Sequence, residues 1–370
     1  MRQERIKRII EWSKGNLLPP CNIDFLLTSK CNLKCRFCRF GTEKRKIDYS
    51  RDLTHQEILR VVNEGLKLGI KEWYIEGGEP LYYPDIFLQI IEMIKKYDTF
   101  GNVNTNGTLF NDNIIKKVFE TGWDEVTFSI DSANPKIHNE LRGVPGTFEK
   151  AVAAIKKIQK MKKLLQKNKP KINIHSVITN KNYNSLDEII KLAHKLKVKD
   201  VVFTHLFKMN KYFNELSLKK KHINGFEINV KKAYELSLKY HMNTNLEDYI
   251  KTIRVKDLGK MDILLKARSR ESNNNKILSI PCFEPWYQII ILNDGKVGFC
   301  GYYAGNAKSE NVKSKKLKDI WYGKNFENIR RKIIIEKLPK FCCICPTSRI
   351  LRNENLRNDL KNILSNKYSE

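Results

Sequence analysis

Between Ile23 and about Phe207, short apolar stretches alternate with segments whose apolar residues have helical spacing. Ile23–Thr28 has the composition of a buried strand, and apolar residues recur every three or four positions after Thr54. Thr54 and Glu57 have the spacing of a capping box, which predicts the start of that helix. This alternation is typical of a parallel α/β structure.

The same pattern continues through five more predicted strands. These are Trp73–Ile75, a strand near Val103, Val126–Ile130, Ile172–Ile178 and Val201–Thr204. The helices between them are predicted around Ile86–Ile94, Ile114–Phe119 and Phe148–Leu165, and after Ser185, which forms a second capping pattern with Glu188. Six strand–helix units are too few for a barrel of eight strands. We therefore predict an α/β protein with a partial (β/α)6 TIM-like barrel.

The rest of the chain has a different texture and predicts further domains. The predicted parts are an N-terminal helix (1–20), the barrel (21–207), a helical connector (208–280), a small α+β domain (281–348) and a C-terminal helix (349–370). The run Ser272–Asn275 is typical of a linker. Asn293-Asp294-Gly295 predicts a hairpin turn between Tyr287–Leu292 and Lys296–Phe299.

The chain has 370 residues, of which 41% are hydrophobic and 30% charged, and its net charge is +28. This composition excludes collagen, a disordered acidic tail and a small disulfide scaffold. The excess charge is mostly Lys spread along helices, which argues against a nucleic-acid partner but leaves open a basic surface for an acidic one. No apolar run reaches the roughly 18 residues of a membrane span, and the N-terminus has no apolar signal core, so we expect a cytoplasmic protein.

Nine cysteines change this picture, because eight of them fall into two groups. The first group is Cys31, Cys35 and Cys38; the second is Cys282, Cys300, Cys342, Cys343 and Cys345. In a reducing cytosol, clustered cysteines bind metal or do chemistry more often than they form disulfides. We therefore predict two metal sites, and we expect Cys21 to be a small buried residue.

The first group has the spacing C-x3-C-x2-C on the loop after the first strand. Three thiolates on one loop can hold three irons of a [4Fe–4S] cluster and leave the fourth iron without a protein ligand. A structural zinc site is the alternative, but it needs a fourth ligand, and the nearest histidine, His55, lies in a predicted helix.

With Phe37 before its third cysteine, this motif resembles that of the radical S-adenosylmethionine (SAM) enzymes. The resemblance covers about residues 20 to 345, and it identifies Gly77-Gly78-Glu79-Pro80 as the glycine-rich motif after the second strand. It implies that SAM chelates the open iron through its amino and carboxylate groups. Reductive cleavage would then give a 5′-deoxyadenosyl radical that abstracts hydrogen from a substrate.

Other SAM contacts are implied at the ends of the strands. The expected cofactor-binding residues are Phe37, Gly77, Gly78, Glu79, Asn106, Ser129, Asp131 and Arg142. The glycines would let the methionyl group approach closely, and Glu79 can accept from its ammonium. Ser129 and Asp131 resemble the ribose-contacting position, and Arg142 resembles an arginine that meets the SAM carboxylate. Helix-cap and turn roles are the alternative for these polar residues.

The second group resembles the first half of a SPASM auxiliary domain, the shortened form called a twitch domain. This implies one auxiliary [4Fe–4S] cluster, with Cys282, Cys300, Cys342 and Cys345 as ligands. Cys343 is a spare thiol that could replace Cys342, and a four-cysteine zinc site is the alternative. Tyr302 and Tyr303 follow Cys300 and are expected to pack in the core.

Together these features predict a radical SAM oxidoreductase or maturase for a small-molecule or peptide substrate. Its auxiliary cluster would remove an electron or bind the substrate. The same chemistry on an acidic substrate (phospholipid, phosphosugar or RNA) is one alternative, and a non-enzymatic iron–sulfur electron carrier is another. The expected redox partner is an electron donor such as ferredoxin or flavodoxin. The sequence identifies no general base.

Overall fold

The computed structural model describes residues 2–40, 48–206, 213–253, 277–305, 308–335, 338, 342, 345 and 347–366. Contacts divide the chain into two compact units. The first comprises Met1–Phe25, Leu53–Trp73 and Asp257–Glu370, and the second comprises Leu26–Asp52 and Tyr74–Lys256. The boundaries at 20, 207, 280 and 348 stay a prediction, since the two units interleave along the chain.

Strands and helices alternate through most of the described residues. The strands are β1 (Asn22–Leu26), β2 (Glu72–Glu76), β3 (Phe100–Thr105), β4 (Glu125–Ser129), β5 (Lys171–Ile178), β6 (Asp200–His205), β7 (Asn243–Thr244), β8 (Gln288–Ile291) and β9 (Val297–Gly298). The α-helices are α1 (Arg2–Ser13), α2 (His55–Leu68), α3 (Pro84–Lys95), α4 (Asp112–Glu120), α5 (Pro135–Arg142), α6 (Thr147–Leu164), α7 (Leu186–Lys195), α8 (Phe213–Leu216), α9 (Ile223–Lys239), α10 (Leu246–Ile253), α11 (Gly301–Ala304), α12 (Leu317–Trp321), α13 (Lys324–Ile334) and α14 (Thr347–Asn366). Short 3₁₀ helices cover Tyr49–Arg51, Pro80–Tyr82, Lys220–His222 and Glu284–Trp286.

The second unit contains a parallel sheet in the order β7-β6-β5-β4-β3-β2. Buried and half-buried residues alternate along β5, with Ile172 and Ile174 on the buried side. On the other side, Asn173 donates to Glu125 and the Nε2 atom of His175 lies 3.0 Å from Thr204 Oγ1. The two faces of the sheet therefore differ at β5, one lined by buried apolar side chains and the other by hydrogen-bonded polar ones.

The first unit contains the order β1-β8-β9. β8 runs parallel to β1 and forms an antiparallel hairpin with β9. The predicted hairpin is confirmed, and it continues the sheet of β1 within this unit. Its turn contains Gly295 at φ +83°, and a Cβ there would lie 2.4 Å from Asn311 Oδ1.

The structure confirms the predicted α/β fold class and the capping box of α2. Thr54 accepts from the backbone N–H of Glu57, while the Glu57 carboxylate accepts from that of Thr54. The second predicted capping pattern, between Ser185 and Glu188, is wrong. Ser185 precedes α7 without a side-chain cap, and the N–H of Leu186 donates instead to Asn229 of α9.

Three helices, α5, α11 and α13, were not predicted. α5 and α11 are eight and four residues long, too short for an apolar period to stand out, whereas α13 does have apolar residues at helical spacing, Phe326, Ile329 and Ile333. The predicted linker at 272–275 lies outside the described residues.

Candidate active site

The loop that carries Cys31, Cys35 and Cys38 lies in the second unit. Cys35 is buried, and the other two thiols are half-buried. The backbone N–H of Leu33 donates to the Cys31 sulfur and that of Phe40 to the Cys38 sulfur, each at 3.4 Å. Donors aimed at sulfur are the surroundings that iron–sulfur thiolates require.

Side chains from two other segments also reach these sulfurs. Nδ2 of Asn106 lies 3.9 Å from the Cys31 sulfur, and a terminal nitrogen of Arg142 lies 3.9 Å from that of Cys35. Each of the three sulfurs therefore has at least one N–H donor. This donor set fits a cluster whose thiolates carry negative charge.

Burial raises the pKa of the Cys31 and Cys35 thiols to about 12. Such thiols become thiolates only when a cation compensates the charge, as bound iron does. Within the described residues, no three Cys, His, Asp or Glu side chains converge on one point that could hold a single ion. A cubane binds each thiolate through a different iron, so its ligands need not converge in this way.

The C-terminus of α5 packs directly on the cysteine loop. The backbone N–H of Lys34 donates to Arg142 O and that of Arg36 to Leu141 O, both at 3.1 Å. These carbonyls have no partner inside the helix, so the loop caps the helix while the helix fixes the loop. Gly143 permits this contact at φ +71°, because a Cβ there would lie 2.3 Å from Lys34 O.

Arg142 and Asp131 form a buried ion pair beside this loop. Nε of Arg142 lies 2.7 Å from Asp131 Oδ2, although its N–H does not point at the oxygen. The guanidinium also lies over the ring of Phe37, at 5.3 Å from its centroid. Burial acts to lower the pKa of Arg142, but Asp131 and Cys35 outweigh it, and the pKa is raised.

The glycines of the Gly77-Gly78-Glu79-Pro80 segment allow it to pair closely with the chain that enters the loop. The N–H of Gly78 donates to Thr28 O at 2.6 Å, and that of Glu79 donates to Lys30 O at 2.8 Å. A Cβ on Gly78 would lie 2.2 Å from Lys30 O, and Gly77 has φ +147°. The glycines are therefore required by the protein backbone itself.

The Glu79 carboxylate is fully buried and is occupied by protein donors. It accepts from Leu81 N (3.2 Å), Thr105 Oγ1 (2.7 Å) and Asn106 N (2.8 Å). Burial raises the pKa of Glu79 to about 7, although these hydrogen bonds lower it. In this structure Glu79 thus fixes the end of β3, and its contact with the SAM ammonium stays a prediction.

Asn106 and Ser129 lie at the ends of β3 and β4. Asn106 is held by Asn32 and Thr108, while Ser129 is half-buried and makes no side-chain hydrogen bond to another described residue. The Ser129 hydroxyl is therefore available to a ligand, whereas Asp131 is fully buried and committed to protein partners. The ribose role of both residues stays a prediction.

In the first unit, α14 holds the segment that carries Cys282. The guanidinium of Arg357 donates to Leu278 O and Ile280 O, and Asn353 Oδ1 accepts from Phe283 N at 2.6 Å. Burial raises the pKa of the Cys282 thiol well above its ordinary value. A helix distant in sequence thus positions this thiol.

The remaining members of the second group have similar surroundings. Cys300 follows β9 and its sulfur accepts from Tyr303 N at 3.4 Å. Cys342 and Cys345 share a backbone hydrogen bond from Cys345 N to Cys342 O, as do Cys38 and Cys35 in the first group. Cys343 lies outside the described residues, so the choice between it and Cys342 stays open.

Two residues that the sequence predicted to be in the core, Cys21 and Tyr303, are buried. Cys21 is buried, as predicted, and Tyr303 packs against Phe299 and Phe326. The side chain of Tyr302 lies outside the description. Among the described helices, none is long and apolar enough to cross a membrane.

Two family models match the chain at these two groups of cysteines. The radical SAM superfamily model matches residues 25–193, and an iron–sulfur cluster-binding model, SPASM, matches residues 282–346. The chain therefore contains a radical SAM domain and a C-terminal SPASM iron–sulfur domain, and the expected cofactors are [4Fe–4S] clusters and SAM. The recognition made from the sequence is confirmed.

Similar proteins extend this comparison. The chain is 27% identical to the AdoMet-dependent heme synthase of Methanosarcina barkeri over 90% of each protein. It is 33% identical to a GTP 3′,8-cyclase of Clostridium perfringens, over 47% of this chain and 52% of the cyclase.

Solved structures of the same fold include SuiB of Streptococcus suis. The TM-score is 0.65 at 17% identity, over 93% of this chain and 75% of SuiB. For anSMEcpe with bound AdoMet, the TM-score is 0.63 at 19% identity, over 94% of this chain and all of that one. These identities support the fold alone.

Several residues that shape the site escaped sequence reasoning. Thr105 holds Glu79, Asn182 donates to the Asp131 carbonyl, and His138 accepts from the Asp131 N–H. None of them has a local motif, since each acts on a residue that the fold brings to it. The local signals available for α5 were the N-cap Asn134, Pro135 at the first helical position and Gly143 just after the helix.

Proposed function

We propose that this protein cleaves SAM reductively and uses the resulting 5′-deoxyadenosyl radical to abstract hydrogen from a small-molecule or peptide substrate. The observation that carries the proposal is the loop of Cys31, Cys35 and Cys38, in which every sulfur has an N–H donor. When bound there, a [4Fe–4S] cluster with one open iron supplies the electron and the chelation site for SAM.

The residues around this loop have distinct proposed roles. Cys31, Cys35 and Cys38 are the cluster ligands. Ser129 offers a hydroxyl to the ribose, and the Gly77-Gly78 segment is the proposed backbone contact of the methionyl group. Since the Glu79 carboxylate is fully used by protein donors, its proposed contribution is to hold the Thr105-Asn106 strand end in place.

The second proposed site is an auxiliary [4Fe–4S] cluster. Its ligands are Cys282, Cys300 and Cys345, with Cys342 or Cys343 as the fourth. The N–H donor to the Cys300 sulfur and the backbone hydrogen bond from Cys345 N to Cys342 O support this assignment. The auxiliary cluster would accept an electron from the substrate radical or bind the substrate.

The likeness to a heme synthase over nearly the whole chain favours a small-molecule substrate, specifically a tetrapyrrole. The fold shared with SuiB, which has been solved with a precursor peptide, keeps a peptide substrate as the second candidate. A net charge of +28 suits an anionic molecule of either class.

Formation of 5′-deoxyadenosine tests this proposal. The anaerobically reconstituted chain is reduced with dithionite or flavodoxin and incubated with SAM and, in separate arms, with porphyrins and with small-molecule, peptide, lipid and RNA fractions of a cell extract. We expect slow background cleavage that the porphyrin or small-molecule arm accelerates. Acceleration by the peptide, lipid or RNA arm would assign the substrate to that class instead. If no SAM were cleaved with both clusters loaded, the protein would be an iron–sulfur electron carrier and not an enzyme of this kind.

A further inference from the structure

We propose that Asp131 and Arg142 are positioning residues that set the reduction potential of the cluster bound by Cys35. Asp131 holds the guanidinium of Arg142 in place, and the guanidinium in turn donates to the Cys35 sulfur. This inference rests on the proposed function only in assuming that Cys31, Cys35 and Cys38 ligate a [4Fe–4S] cluster.

The guanidinium is fixed on three sides. Its Nε faces Asp131 at 2.7 Å, one terminal nitrogen faces the Cys35 sulfur at 3.9 Å, and its plane lies over Phe37. The side chain is 9% exposed, so water does not screen its charge. A residue that only filled space here could be apolar, because a buried ion pair contributes little to stability compared with packed apolar side chains.

Asp131 is anchored independently of Arg142. Its Oδ1 accepts from Val177 N at 2.9 Å, its N–H donates to His138 Nδ1 at 3.2 Å, and its carbonyl accepts from Asn182. These contacts tie the carboxylate to β5 and the Asp131 backbone to α5 and Asn182. The carboxylate is therefore a rigid support, and the long Arg142 side chain is the part that it orients.

The expected effect follows from charge. A reduced cluster carries one more negative charge than the oxidised cluster, so a fixed cation beside a ligand sulfur stabilises the reduced form more. Hydrogen bonds to the sulfurs and local charge are known determinants of cluster potential. Removal of the Arg142 charge should therefore shift the potential to more negative values.

The test is a redox titration of the full-length reconstituted protein, with EPR as the readout. The signal measured is the [4Fe–4S]⁺ signal that changes when SAM is added, because this response identifies the cluster bound by Cys35. R142Q should shift the potential to more negative values, and R142K should shift it less because the charge is kept. The matched control is R36Q, which removes a cation from the same loop. Arg36 is 45% exposed and pairs with Glu140, so its charge is screened and its loss should shift the potential less.

D131N separates positioning from simple charge. Loss of a nearby negative charge would by itself raise the potential, but an asparagine whose Oδ1 accepts from Val177 N turns an uncharged NH2 group to Arg142, so the ion pair that holds the guanidinium is lost. We therefore expect a more negative potential in D131N. This shift is opposite in sign to the one that loss of the negative charge alone would cause.

An unchanged or higher potential in D131N, or equal shifts in R142Q and R36Q, would overturn the inference. It would also be overturned if R142Q weakened SAM binding without moving the potential, a result that would assign Arg142 to SAM itself. If the wild-type chain showed no SAM-responsive EPR signal, the proposed function would fail as well.

Discussion

At the scale of single residues, the site depends on groups that protein contacts already hold in place. Glu79 is the clearest case, because burial raises its pKa from 4.5 to about 7 while three protein donors occupy its oxygens. Between these two pH values the unfolded chain ionises Glu79 and the folded chain keeps it protonated. The stability that Glu79 contributes is therefore complete below pH 4.5 and is lost as the pH rises through about 7.

E79Q tests this directly, because glutamine does not titrate. We expect the difference in Tm between the wild type and E79Q to shrink as the pH rises from about 5 to about 8, measured by thermal unfolding of the full-length chain. The variant itself should lose about 1–3 kcal/mol of stability at low pH, because one backbone N–H is left without an acceptor. A Tm difference that does not change with pH would contradict the raised pKa.

Ser129 leads to a second prediction at this scale. Its hydroxyl has no side-chain partner among the described residues, so S129A should leave Tm nearly unchanged but weaken SAM binding. Loss of one hydrogen bond of about 1 kcal/mol corresponds to a Kd increase of roughly fivefold, which calorimetry can measure. T127V is the control, since it removes a hydroxyl from the same face of β4 that already bonds Asn102. Equal SAM affinity in S129A and wild type would remove Ser129 from the site.

At the scale of elements, the sequence predicted those whose pattern is local. The strands of the barrel and α2 have regular apolar spacing, and the capping box has its own motif. By contrast, α5 is mostly polar and is stabilised by what it contacts, the backbone of the cysteine loop. Its role could not be derived from spacing, because the two segments are about 100 residues apart in the chain.

Gly143 provides a test of this helix–loop contact, with Gly146 as its matched control. Both glycines have positive φ (+71° and +76°), but a Cβ on Gly143 would lie 2.3 Å from Lys34 O, while one on Gly146 meets nothing within 4 Å. Each alanine variant should lose about 1–2 kcal/mol from the left-handed conformation.

G143A should lose more stability than this, and it should also bind less iron after reconstitution because the loop is displaced. The measurements are Tm and iron per chain. If G143A and G146A lost similar amounts of stability and of bound iron, α5 would not fix the cysteine loop.

At the scale of the whole molecule, the two cysteine groups belong to different units, and each is supported by contacts of its own unit. The sequence predicted the ligand types from spacing, because both groups contain short motifs. It did not predict their supports. Asp131 was expected at the ribose but is fully buried beside Arg142, and Cys282 is positioned by Asn353, about 70 residues further along the chain. Such partners become visible only when the fold brings distant segments together.

This division predicts that one cluster can be removed without the other. C282A/C300A deletes two proposed auxiliary ligands, and the iron content should fall from about eight to about four per chain, since each cluster holds four irons. The EPR signal that responds to SAM, and background formation of 5′-deoxyadenosine, should persist because Cys31, Cys35 and Cys38 lie in the second unit. C21S is the control, as this buried cysteine is not a proposed ligand and should keep about eight irons. Loss of all iron in C282A/C300A would instead mean that the two sites load as one.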